Sequence, residues 1–125
     1  MPILIDSTVL IDVLRGQPLA LAFLAGARRS SGLMSVTPVR TEVLGGVPDD
    51  RVRETFTLLR QIDWVDVTIE LADVAAALHR RYRVGHAGIG VVDYLLAAAA
   101  LEVGGMVATS NVRDYPMFPG LQPPY

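Results

Sequence analysis

Apolar residues in this chain come in short blocks whose period changes from one block to the next. Ile3-Leu4-Ile5 is an unbroken apolar run, so Pro2 to Ile5 reads as a short buried strand. Asp6 or Ser7 can cap a helix running through Leu14, with Gly16 as its stop. Pro18 to Arg29 carries Leu19, Phe23 and Leu24 at helical spacing behind a proline suited to a helix start. Gly32 leads into a strand from Leu33 to Val36, and Thr37-Pro38 opens a third helix. The pattern then predicts a charged amphipathic helix from Asp49-Asp50 to about Gln61 and a strand from Asp63 to Val67. A helix follows from Glu70 to Arg83, its end marked by Gly85 and Gly88. Gly90 to Val103 is apolar on nearly every side, which indicates a buried helix. Met106 to Thr109 reads as a strand, and the proline-rich tail Pro116 to Tyr125 predicts no element.

Strands separated by helices imply βαβ units, right-handed crossovers and a parallel sheet covered on both faces. The expected class is α/β, in one domain over residues 1–125. Ligands of such sheets bind beyond the carboxyl ends of the strands.

Four acids stand where that rule matters. Asp6 closes the first apolar run, and Glu42 follows Pro38 by four residues. Asp93 lies at the head of the all-apolar helix, and Asp114 comes shortly after Val107-Ala108-Thr109-Ser110-Asn111. An unpaired buried carboxylate is costly. The chain has no lysine, and few of its eleven arginines are near these acids in sequence. A shared divalent cation would answer the problem for all four. Three of these acids also have a plainer reading taken alone. Asp6 can be an N-cap, Glu42 a first-turn partner of the helix dipole or a solvated residue, and Asp114 a loop residue. Asp93 resists one, because no solvated face is nearby.

Composition narrows the chemistry. The absence of cysteine excludes disulfides, thiol catalysis and cysteine-based zinc sites, and it suits a reducing cytoplasm. No signal peptide is visible, and the apolar run Tyr94–Leu101 is far shorter than the ~20 residues of a membrane span. A soluble, cytoplasmic protein without a membrane partner is therefore expected. Net charge is −2; setting the four acids aside gives −2 + 4 = +2, which permits RNA contact without demanding it. A receiver domain would need a lysine, and an aspartyl-phosphate phosphatase a second Asp after Asp6. His79 and His86 invite a metal-independent ribonuclease, but Gly85 interrupts the helix between them.

The ordered motifs resemble the PIN-domain family. They are Asp6-Ser7-Thr8 after an apolar strand, Thr37-Pro38 through Glu42 to Gly46, Gly88-Ile89-Gly90 through Asp93 and Leu95 to Ala97-Ala98-Ala99, and Thr109 through Asn111 to Asp114-Tyr115. Within that family the chain is most similar to VapC ribonuclease toxins, over Pro2 to about Pro119. The resemblance implies a three-layer αβα fold with a mostly parallel sheet of four to five strands. It also implies an endoribonuclease dependent on Mg²⁺ or Mn²⁺, usually a homodimer, held inactive by a VapB-type antitoxin. Asp6, Glu42 and Asp93 would then hold the metal, with Asp114 in support and Thr109 steadying Asp6 through its hydroxyl. The sequence departs from many relatives at Asn111, where an acid is common. Arg80, Arg81 and Arg83 can grip RNA phosphates or form a solvated face, and Arg28-Arg29 has the same standing. The alternative function is a catalytically silent module that binds a protein partner, with Leu10, Leu14, Phe23 and Leu24 as a groove or as core.

Overall fold

The computed structural model describes all 125 residues. Strand β1 (Ile3–Ile5) is followed by α1 (Ser7–Leu14), α2 (Pro18–Ser30), β2 (Leu33–Val36) and α3 (Thr37–Gly46). A 3₁₀ turn at Asp49–Arg51 leads into α4 (Val52–Leu59), then β3 (Asp63–Val65), α5 (Ile69–Tyr82), α6 (Val91–Val103) and β4 (Met106–Ala108). A second 3₁₀ turn spans Val112–Asp114. The four strands form one wholly parallel sheet in the order β3-β2-β1-β4. The α/β class, the parallel sheet and a strand count of four match the expectation.

Most elements fall within a residue or two of the sequence reading, and the strand differences share one cause. The sequence pattern predicts β3 to Val67 and β4 to Thr109. Pairing stops at Val36↔Val65 and Ile5↔Ala108, because the neighbouring strands turn into helices at Thr37 and Ser7. A strand without a neighbour has no ladder to continue. The helix expected from Asp49-Asp50 to Gln61 instead begins as a 3₁₀ turn and ends at Leu59.

With right-handed crossovers, moving from β1 to β2 to β3 puts α1–α4 on one face. Returning to β4 on the far side of β1 puts α5 and α6 on the other. Helix α6 lies against β1, β2 and β4, and α5 packs on α6. That explains the apolar character of α6: Tyr94 through Ala100 are all buried. One continuous core joins Leu4 and Ile5 of β1 to Leu10, Val36, Val43, Leu59, Leu96 and Val107. Of the proposed groove residues, Leu10 and Leu24 are buried in that core, Leu14 lies at its margin and Phe23 packs against it. No single helix is long and apolar enough to cross a membrane.

The strand order switches sides between β1 and β4, so a crevice opens beyond their carboxyl ends. Asp6 and Thr109, the residues after these two strands, stand at that point.

Candidate active site

Asp6 is buried at the end of β1, and its backbone N–H donates to the Ala108 carbonyl at 3.0 Å, a bond of the last β1–β4 pair. The Ser35 hydroxyl donates to the Ile5 carbonyl at 2.7 Å and steadies the strand end. The Asp6 carboxylate then serves two ends of the structure. Its Oδ1 accepts the Ser7 N–H at 2.8 Å as the α1 cap. Its Oδ2 accepts the hydroxyls of Thr109 at 2.6 Å and Thr8 at 3.2 Å. The cap reading and the convergence reading therefore both hold for this residue. Thr109 is fully buried, and its oxygen also accepts the Asn111 N–H at 2.9 Å.

Asp93 sits in the first turn of α6. Its Oδ2 accepts the Gly90 N–H at 3.3 Å, and its Oδ1 accepts the Tyr115 hydroxyl at 3.2 Å. Burial, then the charge of Asp6, push its carboxyl up to about 6, with Asp114 adding to the rise. The Gly90 and Tyr115 donors pull the other way without prevailing. Glu42 leaves much of its side chain in solvent, yet its carboxyl is also raised, by partial burial of the acid group and by Asp6. The Ser7 side chain lowers it in part.

These couplings arrange the acids in a sequence. Asp6 acts on both Glu42 and Asp93, and Asp93 on its other side feels Asp114. Tyr115, itself buried, has its hydroxyl raised by burial and then by Asp6, Asp93 and Asp114. Each of the four acids is thus within electrostatic reach of another at one end of the sheet. They do not close into a ready-made ion cage of three or more groups.

No arginine forms an ion pair with these acids. The one salt bridge, Arg51 to Glu54 at 2.9 Å, lies elsewhere. Arg40, two residues before Glu42, stacks its guanidinium over Phe56 and Trp64 at 5.5 and 5.3 Å. The oxygen-only donor set, its raised acids and the absence of an ion pair fit a hard divalent cation. The Tyr94 hydroxyl is also buried beside this charge without a hydrogen-bond partner.

The remaining residues fall outside that group. Asn111 is exposed and joins the site through its backbone N–H to Thr109. Arg80, Arg81 and Arg83 are exposed at the end of α5, one connecting loop from Asp93, with Arg81 over the Tyr82 ring at 5.3 Å. His79 stacks on Tyr94 at 4.9 Å, whereas His86 meets Tyr82 edge-on at 5.9 Å, so the two histidines have separate aromatic partners. The sequence assigns no role to Thr8 or Tyr115, and offers Ser7 only as an alternative helix cap, a place that Asp6 takes. Thr8 and Ser7 were within reach as the residues after a capping Asp; nothing local signalled Tyr115.

A family model described as the PIN domain matches residues 3–115. The chain belongs to the PIN-domain family. Among curated relatives of this PIN domain, Ribonuclease VapC19 of Mycobacterium tuberculosis is 42% identical over 123 residues, covering 98% of each chain. Ribonuclease VapC10 of the same organism is 40% identical over 124 residues, covering 98% of this chain and 92% of its own. Solved structures share the fold at lower identity. A toxin–antitoxin complex from Klebsiella pneumoniae superposes with a TM-score of 0.81 at 22% identity, over 98% of this chain and 97% of that one. VapBC2 from Rickettsia felis, bound to a promoter DNA fragment, gives 0.80 at 15% identity, over 97% and 96%.

Proposed function

We propose that this PIN domain, acting as a single unit over residues 1–125, is a Mg²⁺- or Mn²⁺-dependent endoribonuclease and the toxin of a toxin–antitoxin pair. The observation that carries the reading is the four-acid array at the β1–β4 crevice, with Asp93 raised to about 6 and no ion pair to any of the four. The full-length similarity to proteins named ribonucleases supports the substrate class. Likeness to toxin–antitoxin complexes motivates a VapB-type antitoxin as partner, and a homodimer is proposed with it. A cytoplasmic location is part of the same reading.

Asp6, Asp93 and Glu42 would hold the cation directly or through water, with Asp114 in support. Such an ion, when bound, lowers the pKa of its water and offsets charge on the phosphodiester. An array looser than a closed cage suits Mg²⁺, which commonly keeps several waters and takes only one or two carboxylates. The protein's share is orientation. Thr109 and Thr8 fix Oδ2 of Asp6 while the helix cap occupies Oδ1, and Gly90 with Tyr115 sets the Asp93 plane. No side-chain nucleophile is required.

The test is cleavage of single-stranded and structured RNA by purified protein with Mg²⁺ or Mn²⁺. Asp6→Ala and Asp93→Ala are expected to lose activity by about 10²-fold or more. Undiminished cleavage in excess EDTA would sink metal dependence, and no cleavage under any metal would favour the silent binding module.

A further inference from the structure

A second cleft adjoins the acids. It has a volume of about 400 Å³ and is lined by Gly85, His86, Gly88, Ile89, Arg113 and Asp114. Asp114 belongs to both, and Gly90, which donates to Asp93, follows the cleft's Ile89 directly. We propose that this cleft is the subsite for the RNA nucleotide next to the scissile phosphate, with Arg113 on its phosphate and His86 against its base. The proposal rests on the nuclease reading above.

Three features of the cleft carry it. Arg113 is exposed and forms neither an ion pair nor a ring contact: the only salt bridge is Arg51–Glu54, and the ring-stacked arginines are Arg40 and Arg81. A free guanidinium at the rim of an acidic site is fitted to a planar, bidentate anion such as phosphate. His86 is exposed but steadied by its edge-on contact with Tyr82, which presents a partly ordered π surface for a base. Gly85 and Gly88 have φ of +85° and +97°, with nothing within 4 Å of where a Cβ would stand. A ligand can therefore approach the backbone closely there. The volume lies toward the lower end of the roughly 300–1,000 Å³ typical of small-ligand sites, which suits one nucleotide and not a duplex. An acidic peptide would use Arg113 but would have no call on the imidazole or the open glycines.

The experiment measures binding of a fluorescein-labelled single-stranded RNA hexanucleotide by anisotropy in EDTA, so that binding is read apart from catalysis. Arg113→Ala and His86→Ala are each expected to weaken binding about tenfold. Arg60→Ala, an exposed arginine at a different cleft, should leave it unchanged. The chain has two histidines, so NMR can follow both rings: His86 should shift on RNA addition while His79, stacked on Tyr94, stays in place. Both substituted side chains are exposed, so neither change threatens the fold. Parent-like affinity in both variants, an equal loss in Arg60→Ala, absence of parent binding, or displacement of the RNA by hexaglutamate at equal concentration would overturn the subsite. A parent that cuts RNA while failing these binding criteria removes the subsite alone. A parent that cuts no RNA with any metal removes the nuclease reading itself.

Discussion

Asp93 is pulled in both directions, and burial with the Asp6 charge prevails over the Gly90 and Tyr115 donors. The folded chain keeps its proton up to about pH 6, against an ordinary value of 3.8. Folding therefore takes up a proton between these values, and the metal-free protein should lose stability as pH rises through that window. After discounting for solvent at a half-open site, the loss is about 1–2 kcal/mol. Asp93→Asn keeps the shape and removes the charge. It should melt higher than the parent above pH 6.5, with the gain fading toward pH 4; a lower melting temperature at neutral pH would make Asp93 a structural cap only. Thr109 makes a second test. Thr109→Val deprives Asp6 of a 2.6 Å donor and Asn111 of its acceptor, at an expected cost of about 1–3 kcal/mol in urea unfolding. Thr109→Ser should recover most of it; failure to do so would shift the role to the methyl group's packing. Asp6 was legible because it directly follows an apolar strand, and Thr109 through the PIN-domain motif to which it belongs. Tyr115 was not, since its hydroxyl turns back to residue 93 across a loop that no local pattern describes.

The elements were legible where a local rule acts. Asp6 caps α1, Pro18 starts α2, and the all-apolar stretch forms the buried α6, because each depends on neighbours within about a turn. Their ends moved where a partner decides, as when β3 and β4 stop with the strands beside them. The turn from α6 to β4 shows the same division. Gly104 ends α6 at φ 64° in the left-handed region, a common helix stop. Gly105 serves a different need. A Cβ there would lie 2.7 Å from the Pro2 carbonyl oxygen and 2.9 Å from Leu4 Cδ2. Gly105→Ala should thus push β4 from the start of β1, costing about 2–4 kcal/mol, whereas Gly104→Ala should cost about 1 kcal/mol. Urea midpoints of the two variants check this, and a smaller loss at 105 than at 104 would refute the close approach. Neither glycine's reason could be told from the pair Gly104-Gly105 alone.

At the scale of the molecule, a site built from mutually repelling acids should make stability depend on divalent cations. Mg²⁺ at a hundredfold excess over its Kd should stabilise the parent by about 2.7 kcal/mol, and NaCl at matched ionic strength should not. Asp93→Asn should lose most of that gain in the same thermal melts; a full Mg²⁺ shift in the variant would remove Asp93 from the ion's partners. Only the PIN-domain resemblance implied the hydroxyl that supports Asp6; the amino-acid order by itself determined the α/β class, most element positions and the four acids. These are readable because periodicity, capping and strand-end positions are local. Tertiary structure alone decided that the Asp6 charge acts on both Glu42 and Asp93, that Tyr115 reaches Asp93, and that Arg40 turns to Phe56 and Trp64 instead of to Glu42. It also decided that Asn111 contributes its backbone to the site while Asp114 contributes its charge. Those relations join residues far apart in the chain. They follow from the strand order β3-β2-β1-β4 and from α6 packing across it, which bring the ends of β1 and β4 and the head of α6 to one crevice.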